Sequence, residues 1–599
     1  MSERGRSVLL RFAAVLEKLK SWIRAKAARV RLDVWHSPDY RLPLPGLEAR
    51  IELRRADFAL WALLERRVLS PVRLHTPQRI SYPAMARVHD RGYLESLTLP
   101  ATLGRIFAVD PSELVVDELM GAVRLACGGT LAAAREALRF QRATMNLLGG
   151  FHHAGRASGG GLCPVNDLAI AIAELRTEGF EGRVAILDLD AHPPDGTADC
   201  LARDPRVWIG SLSGAHWGPL PDGVDETVIT GADDQGYLAA LESLLTRMPP
   251  PALAFVIAGG DVLAGDRMGR LGMSLAGVFR RDRMVAAALA GRASVWLPGG
   301  GYQPEAWKVL VGSACALVGG APPSWPRGHD PMRARFTAIA AGLDPSALRG
   351  ELTLTLEDLE GDLGGGRAAP RLLGYYGPTG VEHALHEYGI LDQLHRIGYG
   401  ELRVVLDQTP GGDRLRVLGR ASGVADGRLG GREDLLLECV LARRQVAGAS
   451  ILFVEWLTLR NPRARFGPSN PQLPGQEVPG LGLAREVSQL LEQVALRLGL
   501  AGVGFRPAWL HTAWAGRHRL RFVDPARQGR FRALMRDLAV LPLGQAARAV
   551  ADGRVRLDGA PYQWEADDMV AWIDGREPDA AARALEEDVF VNAHFEVVP

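Results

Sequence analysis

The sequence predicts an α/β protein with a mainly parallel sheet flanked by helices, followed by an α+β domain. From about residue 128 to 320, helical and strand-like patterns alternate, which is typical of βαβ units. From 371 onward, strand-like runs follow one another directly, and an amphipathic helix comes after them. The expected division is an amphipathic helix over 1–31, an α/β domain over 32–320, a linker over 321–370 and an α+β domain over 371–599.

The elements of the α/β domain can be assigned in order along the chain. Helical spacing of apolar residues predicts helices over 130–140, 167–175, 237–247 and 275–290, and short apolar runs predict strands over 183–190, 207–213, 252–258 and 293–297. Asp190, Asp261 and Tyr302 stand at or just beyond the ends of three of these strands. Because open α/β sheets bind ligands at the carboxyl ends of their strands, we expect the functional site there.

Glycine and proline clusters mark the end of the α/β domain. Residues 319–326 contain two glycines and three prolines, which oppose regular structure, and 361–370 form a second break. Beyond these breaks, the sequence predicts strands over 402–406, 415–418, 435–441 and 451–459 and a helix over 484–498.

Charge and cysteine content narrow the function classes. The 70 basic and 69 acidic residues leave a formal charge of +1, so no global field favours nucleic-acid binding, and no recognised nucleic-acid module is present. Five scattered cysteines neither frame a disulfide scaffold nor form a CxxC pair, which favours a cytoplasmic protein.

Charged residues interrupt the apolar positions of the N-terminal stretch, which excludes a secretory signal and a transmembrane segment. We expect this helix to pack on the protein's own surface, and attachment to a membrane surface is the alternative.

Three residues have the donor chemistry of a hydrolytic metal site. A catalytic zinc ion takes three protein ligands from His and carboxylates and leaves a position for water or substrate. Asp190 and His192 are two residues apart in an extended segment, so they point to the same side. Asp261, at the end of a separate strand, is the candidate third ligand.

The adjacent histidines His152 and His153 are candidates for proton transfer to and from the reacting groups. Asp188 and Asp195 can each accept the remaining ring N–H of one histidine and so orient it. Tyr302 follows three glycines that allow a tight turn, and its hydroxyl can stabilise an oxyanion.

In this order, these segments resemble the histone deacetylase family, including its bacterial acetoin-utilisation and acetylpolyamine members. The resemblance runs from about residue 36 to 314 and is carried by segments 88–94, 149–154, 161–167, 188–196, 260–261 and 299–302. It implies an arginase/deacetylase-type fold. It also implies a zinc ion held by Asp190, His192 and Asp261, acid-base roles for His152 and His153, a carbonyl contact from Tyr302, and a structural potassium ion near Asp188 and Ser211.

Two departures from the family pattern bear on function. The family usually has His-His-Gly-Asp or His-Gln-Gly-Asp where this chain has His192-Pro193-Pro194-Asp195. The two prolines make the turn stiffer, so the sequence does not determine where Asp195 lies. Leu162 stands where an aromatic residue often lines the acyl channel, so the sequence does not determine the width of this channel.

The predicted function is a zinc-dependent deacetylase that removes acetyl or another acyl group from a lysine side chain or a small amine. Arginase-like hydrolases need a carboxylate set for two metals. Here Asp195 lies three residues after His192, and no Asp follows Asp261 at the next two positions, so a one-metal site is preferred.

Two alternatives remain open. The first is a binding module for acyl-lysine or a metabolite, if the proline turn displaces Asp195. The second is a bifunctional enzyme whose C-terminal domain binds acyl-coenzyme A through the glycine-rich segment 476–484. The remaining candidate ligands are predicted to be solvated surface: His383, His386, His511, His518 and the arginine cluster over 517–521.

Overall fold

The computed structural model describes residues 32–44, 51–326, 328–350, 371–421, 433–468 and 470–598. The chain forms two compact units, Met1–Pro331 and Met332–Pro599. The predicted helix over 1–31 and the glycine-rich break over 361–370 lie outside the described residues.

The N-terminal unit is built on an eight-stranded sheet in the order β2-β1-β3-β8-β7-β4-β5-β6, and its paired strands all run parallel. Its strands are β1 (Asp33–Trp35), β2 (Leu74–His75), β3 (Ala143–Asn146), β4 (Val184–Asp188), β5 (Val207–Ser213), β6 (Val224–Val228), β7 (Leu253–Ile257) and β8 (Ala293–Leu297). Its helices are α1 (Arg55–Glu65), α2 (Tyr82–Met85), α3 (Arg91–Ser96), α4 (Pro100–Phe107), α5 (Val116–Phe140), α6 (Asp167–Thr177), α7 (Asp195–Leu201), α8 (Asp234–Arg247), α9 (Leu275–Ala288) and α10 (Trp307–Leu317). The predicted parallel sheet flanked by helices is confirmed.

The central strands of this sheet are buried throughout. Every residue of β4, β7 and β8 is buried, which explains why these strands are continuous apolar runs instead of alternating patterns. These three strands are also neighbours in the sheet, so their carboxyl ends, at Asp188, Ile257 and Leu297, lie at one edge. The segments that carry Asp190, Asp261 and Tyr302 therefore leave the sheet side by side.

The C-terminal unit is α+β, as predicted. Its seven-stranded sheet has the order β14-β17-β13-β12-β11-β10-β9, and β15, β16 and β18 form a small second sheet. The strands are β9 (Tyr399–Thr409), β10 (Gly412–Ala421), β11 (Asp434–Val446), β12 (Ala449–Leu459), β13 (Gly502–Phe505), β14 (Arg521–Phe522), β15 (Val555–Leu557), β16 (Ala560–Pro561), β17 (Met569–Trp572) and β18 (Phe595–Val597). The helices are α11 (Pro331–Gly342), α12 (Pro345–Arg349), α13 (Pro378–Glu387), α14 (Ile390–Arg396), α15 (Ala484–Arg497), α16 (Leu510–Gly516), α17 (Pro525–Asp537), α18 (Leu543–Ala551) and α19 (Ala580–Asn592).

The long strands β9 to β12 pair antiparallel, and each extends beyond its predicted bounds because tight turns carry the ladder almost to the strand ends. Alternation along β10 is clear: Leu415 and Val417 join the apolar core, whereas Arg414 and Arg416 each lie 2.6 Å from a carboxylate oxygen of Asp407. Among the described residues, none of the helices has the length and apolar character needed to cross a bilayer.

Two helical glycines differ sharply in the space around them. A Cβ built on Gly128 in α5 would lie 1.7 Å from the carbonyl oxygen of Gln78, whereas one on Gly312 in α10 would meet no other atom within 4 Å. We expect Gly128→Ala to lower the free energy of unfolding by about 1–3 kcal/mol through overpacking. Gly312→Ala, the matched control, should raise it by about 0.5–1 kcal/mol, because alanine loses less backbone entropy in a helix. Chemical denaturation of both variants checks this, and a destabilised Gly312→Ala with an unchanged Gly128→Ala would contradict it.

Candidate active site

Hydrogen bonds tie together the three segments that leave β4, β7 and β8. The backbone N–H of Gly300 donates to Asp190 Oδ2 at 2.6 Å, and that of Ala191 donates to Asp261 Oδ1 at 3.1 Å. Each segment thus supplies either a carboxylate or the N–H that orients the carboxylate of its neighbour. The crevice is assembled from backbone groups as much as from side chains.

The predicted metal ligands do come together. Asp190, His192 and Asp261 place one ligand atom each within 4.8 Å of the others, and all three residues are buried. His192 Nδ1 is 3.0 Å from Asp190 Oδ1 and 3.0 Å from Asp261 Oδ2. Two carboxylates and one imidazole around a common point can hold a divalent cation.

The glycine turn after β8 is required by this close approach. Gly299 and Gly301 have positive φ values of 55° and 135°, which L side chains rarely adopt. At Gly300, a Cβ would lie 2.4 Å from Asp261 Oδ2. Only glycine at these positions lets the chain turn against the carboxylates and present Tyr302.

The two adjacent histidines have separate carboxylate partners. His152 Nδ1 is 2.8 Å from Asp188 Oδ2, and His153 Nδ1 is 2.6 Å from Asp195 Oδ1. The ring centroids of the histidines are 4.0 Å apart. The turn through Pro193 and Pro194 therefore keeps Asp195 against His153, which removes the observation that favoured a binding module without catalysis.

These surroundings give the two imidazoles different basicities. Burial opposes protonation of His152, but the charges of Asp188 and Asp190 outweigh it and raise its pKa to about 9. Burial and the neighbouring His152 charge lower the pKa of His153, although Asp195 opposes this. Near neutral pH in the metal-free site, His152 is therefore protonated and His153 is neutral.

Tyr302 lies at the wall of a cavity that His152, Leu162 and Arg55 also line. Burial, together with the charges of Asp190 and Asp261, raises the pKa of the Tyr302 phenol well above its usual value. The hydroxyl consequently stays protonated and can act as a hydrogen-bond donor to an oxyanion.

Several residues that shape the site were missed by the sequence reasoning. Asp167 accepts hydrogen bonds from the backbone N–H groups of Gly150 and Phe151 and so orients the segment that carries the histidines. Arg55 donates to the carbonyl oxygens of Gly299 and Gly300 at 2.6 and 3.2 Å. Asp167 could have been noticed as an acidic residue at the start of α6. Arg55 is 244 residues from its partner Gly299, and no feature of the sequence pointed to this contact.

Asp266 is a further missed residue, since its Oδ2 accepts from the backbone N–H of Tyr302 at 2.8 Å. Trp217, on the loop between β5 and β6, stacks on His153 with ring centroids 5.0 Å apart and lies 5.3 Å from His192. Trp217 is 55% exposed, so it forms an aromatic wall at the solvent side of the site. Its role could not be read from a loop sequence alone.

Outside this crevice, one prediction is wrong. His511 is only 8% exposed, because α16 packs Leu510 and Ala513 into an apolar core. His383, His386 and His518 are exposed, as predicted.

Residues 50–318 match the histone deacetylase domain. An uncharacterized protein of Picosynechococcus sp. is 35% identical over 285 residues, covering 45% of this chain and 91% of that one. Histone deacetylase 2 of Arabidopsis thaliana is 31% identical over 306 residues, covering 47% of this chain and 78% of that one. The chain belongs to the histone deacetylase family.

The crystal structure of an HDAC homolog from Aquifex aeolicus is 22% identical, with a TM-score of 0.42, and covers 49% of this chain and 85% of that chain. The family assignment rests on the sequence matches. The matched domain contains every residue of the candidate site, whereas the C-terminal unit of this deacetylase-family chain lies outside it.

Metal binding to this site should release protons. Although burial opposes it, hydrogen bonds and charges from Asp190 and Asp261 raise the pKa of His192 to about 10 in the metal-free site, so the imidazole is protonated at neutral pH. A ligating histidine must be neutral, and a cation must therefore displace about one proton from His192. Apparent zinc affinity should rise about tenfold per pH unit between pH 7 and 8. Between pH 6 and 7 it should rise more steeply, because burial and the charge of Asp190 raise the pKa of Asp261 to about 7, so this ligand must also lose a proton there.

Calorimetric titrations in two buffers of different ionisation enthalpy measure this proton release directly. His386→Gln, which changes an exposed histidine of the C-terminal unit, serves as the matched control and should leave the release unchanged. Affinity that is flat with pH and accompanied by no proton release would contradict the expected protonation of His192.

Proposed function

We propose that this chain is a zinc-dependent deacetylase that removes acetyl or another acyl group from a lysine side chain or a small amine. The observation that carries the proposal is the juxtaposition, in one crevice, of a buried Asp-His-Asp group with two histidines of different basicity. Family membership supports a deacetylase activity, and the donor set supports zinc.

Asp190, His192 and Asp261 would hold the ion, because three donors from two carboxylates and one imidazole match a catalytic zinc site. When bound, zinc would polarise an acyl carbonyl and lower the pKa of a bound water molecule to near neutrality. The two carboxylates also balance the charge of a divalent cation.

The chain's own groups would handle the protons. His153 is neutral and can accept a proton at Nε2, because Asp195 occupies its Nδ1 side. His152 is held at Nδ1 by Asp188, whose charge favours the protonated imidazole against the opposing effect of burial, and it can supply a proton to the leaving amine. The Tyr302 hydroxyl would donate a hydrogen bond to the carbonyl oxygen as it becomes negative.

Apolar groups near the site suit an acylated amine. Leu162 lines the cavity beside Tyr302, and Trp217 stacks on His153 and lies next to His192. These aliphatic and aromatic side chains can contact the methylene groups of a lysine side chain or a small amine.

We further propose a structural potassium ion near Asp188 and Ser211. These residues are direct register partners on β4 and β5. Ser211 is fully buried, and its Oγ has no hydrogen-bond partner among the described atoms. A buried hydroxyl without a partner is costly, and an ion that takes oxygen ligands there would satisfy it.

The proposed activity predicts release of acetate from acetyl-lysine peptides by the purified chain, with loss on chelation and recovery on adding zinc. Tyr302→Phe should lower kcat about 100- to 1000-fold, because it removes one oxyanion donor. His153→Ala should lower kcat by about 100-fold or more, because it removes the proton acceptor.

The exposed Tyr82, which lies under Arg124 and outside the crevice, provides the matched control Tyr82→Phe with unchanged activity. Full activity in both Tyr302→Phe and His153→Ala would overturn the mechanism. A zinc-replete wild-type chain that binds acetyl-lysine without turnover would overturn the deacetylase function itself.

A second candidate function concerns the C-terminal unit, where we propose acyl-coenzyme A binding. In the described part of the seven-stranded sheet, β12 and β13 form a parallel pair, and α15 connects them. Their pairing stops at Val454 and Phe505, although β12 continues to Leu459. The glycine-rich segment 476–484 leads into α15, and its Pro479 carbonyl oxygen accepts from the backbone N–H of Asn461 just beyond β12, at 2.8 Å. An extended ligand with amide groups, such as pantetheine, can pair with a strand edge that its neighbour has left.

Calorimetric titration of the full chain with coenzyme A tests this second function. Gly480→Glu should abolish binding, because its Cβ would lie 3.6 Å from the Leu459 carbonyl oxygen and its carboxylate would add a negative charge near the end of β12. Gly411→Glu, at the hairpin turn between β9 and β10, is the matched control and should bind like the wild type. The absence of any binding heat with the wild-type chain would refute the coenzyme A proposal without touching the deacetylase proposal.

A further inference from the structure

A buried ion pair on α9 contacts the backbone segments that carry two of the proposed metal ligands. Arg281 and Asp282 are both 0% exposed, and Arg281 Nε donates to Asp282 Oδ1 at 2.8 Å. Neither residue belongs to the proton-transfer or ligand set described above. A fully buried arginine is uncommon and is found only where its charge and its N–H groups have partners.

One nitrogen of the Arg281 guanidinium bridges two segments of the site. Its Nη1 donates to the carbonyl oxygen of Leu189 at 3.3 Å and to that of Gly259 at 2.9 Å. Leu189 directly precedes Asp190, and Gly259 lies two residues before Asp261. The guanidinium therefore joins the backbones of both carboxylate ligands from the side of α9.

The positions of these carbonyls explain why a side-chain donor is needed. β4 ends at Asp188 and β7 ends at Ile257, so both carbonyls lie beyond the regular ladder. The last backbone contact between the two segments is the hydrogen bond from Leu189 N–H to the Ile257 carbonyl oxygen, at 2.9 Å. Beyond it, the buried carbonyl oxygens of Leu189 and Gly259 lie off the ladder and still require donors.

The charge of Arg281 is balanced without using the metal ligands. Asp282 pairs with the guanidinium and also accepts from Ser313 Oγ of α10 at 2.6 Å. Tyr237 adds a second donor to the Leu189 carbonyl oxygen, at 3.3 Å. Burial would lower the pKa of Arg281, but Asp282 and Tyr237 outweigh it, and the residue stays protonated.

We propose that Arg281 is a positioning residue of the metal centre, whose guanidinium sets the spacing of the Asp190 and Asp261 carboxylates by bridging the Leu189 and Gly259 carbonyls. This inference rests on the proposed zinc site. A purely structural ion pair would stabilise the fold without affecting how tightly, or in what geometry, a metal binds. The two roles therefore differ in metal affinity and in the spectrum of a bound ion.

The experiment compares metal binding by the full-length wild-type chain with that of Arg281→Lys and of the double variant Arg281→Met/Asp282→Asn. The double variant removes both charges together, since deleting one partner alone would leave a buried unpaired charge. Arg281→Lys keeps the charge but replaces the planar fork with a single nitrogen. Zinc affinity is measured by competition with a chelator, and the visible spectrum of the cobalt-substituted protein reports ligand geometry.

The matched control is the ion pair between Arg142 and Asp33, whose nitrogen and oxygen are 2.5 Å apart, with Asp33 only 1% exposed. It lies at β1 and the start of β3, away from the metal ligands. Its variant Arg142→Met/Asp33→Asn should lower thermal stability while leaving zinc affinity and the cobalt spectrum unchanged.

We expect Arg281→Met/Asp282→Asn to weaken zinc binding by about 10- to 100-fold and to alter the cobalt spectrum, with Arg281→Lys intermediate. Wild-type affinity and spectrum in both variants would overturn the positioning role, and so would failure of both variants to fold, because the pair would then be a core element. If the wild-type chain itself binds no stoichiometric zinc, the proposed function fails, which is a different result from unchanged binding in the variants.

Discussion

The structure of the site depends on one electrostatic constraint: two carboxylates and an imidazole must stay together in a buried crevice. Asp190 and Asp261 are both 0% exposed, and like charges at such range repel strongly where water is excluded. The protein meets this constraint by aiming donors at both carboxylates, from Gly300 N–H, Ala191 N–H and His192. A divalent cation would neutralise the remaining negative charge of the two carboxylates.

The same constraint separates the two histidines. They are adjacent in sequence and their rings are in contact, yet His152 lies closer to the carboxylate cluster, whereas His153 faces the partly exposed Asp195. Burial opposes protonation of both rings. The negative charge around His152 outweighs it and raises the pKa of His152, whereas burial together with the resulting positive charge lowers the pKa of His153. A single arrangement of carboxylates thereby surrounds the proposed metal group and gives the two imidazoles unequal basicity.

The sheets of the two units differ in how their faces are buried. In the N-terminal unit, parallel strands are buried on both sides, and the functional groups collect at one sheet edge. In the C-terminal unit, β10 alternates between apolar core residues and arginines paired with Asp407, so the charged face of this strand needs no further cover.

The linear sequence determined the parallel fold of the N-terminal unit and the candidate ligands, because these depend on local features: apolar runs, strand ends and the two-residue spacing of Asp190 and His192. Tertiary structure alone decided which residues support them. Arg55, Trp217 and Arg281 reach the site across layers of the fold, and the burial of His511 depends on what its helix packs against. Local spacing specifies the direction of a side chain along its own element, whereas its partners depend on how distant elements meet, and that is settled only by packing of the whole unit.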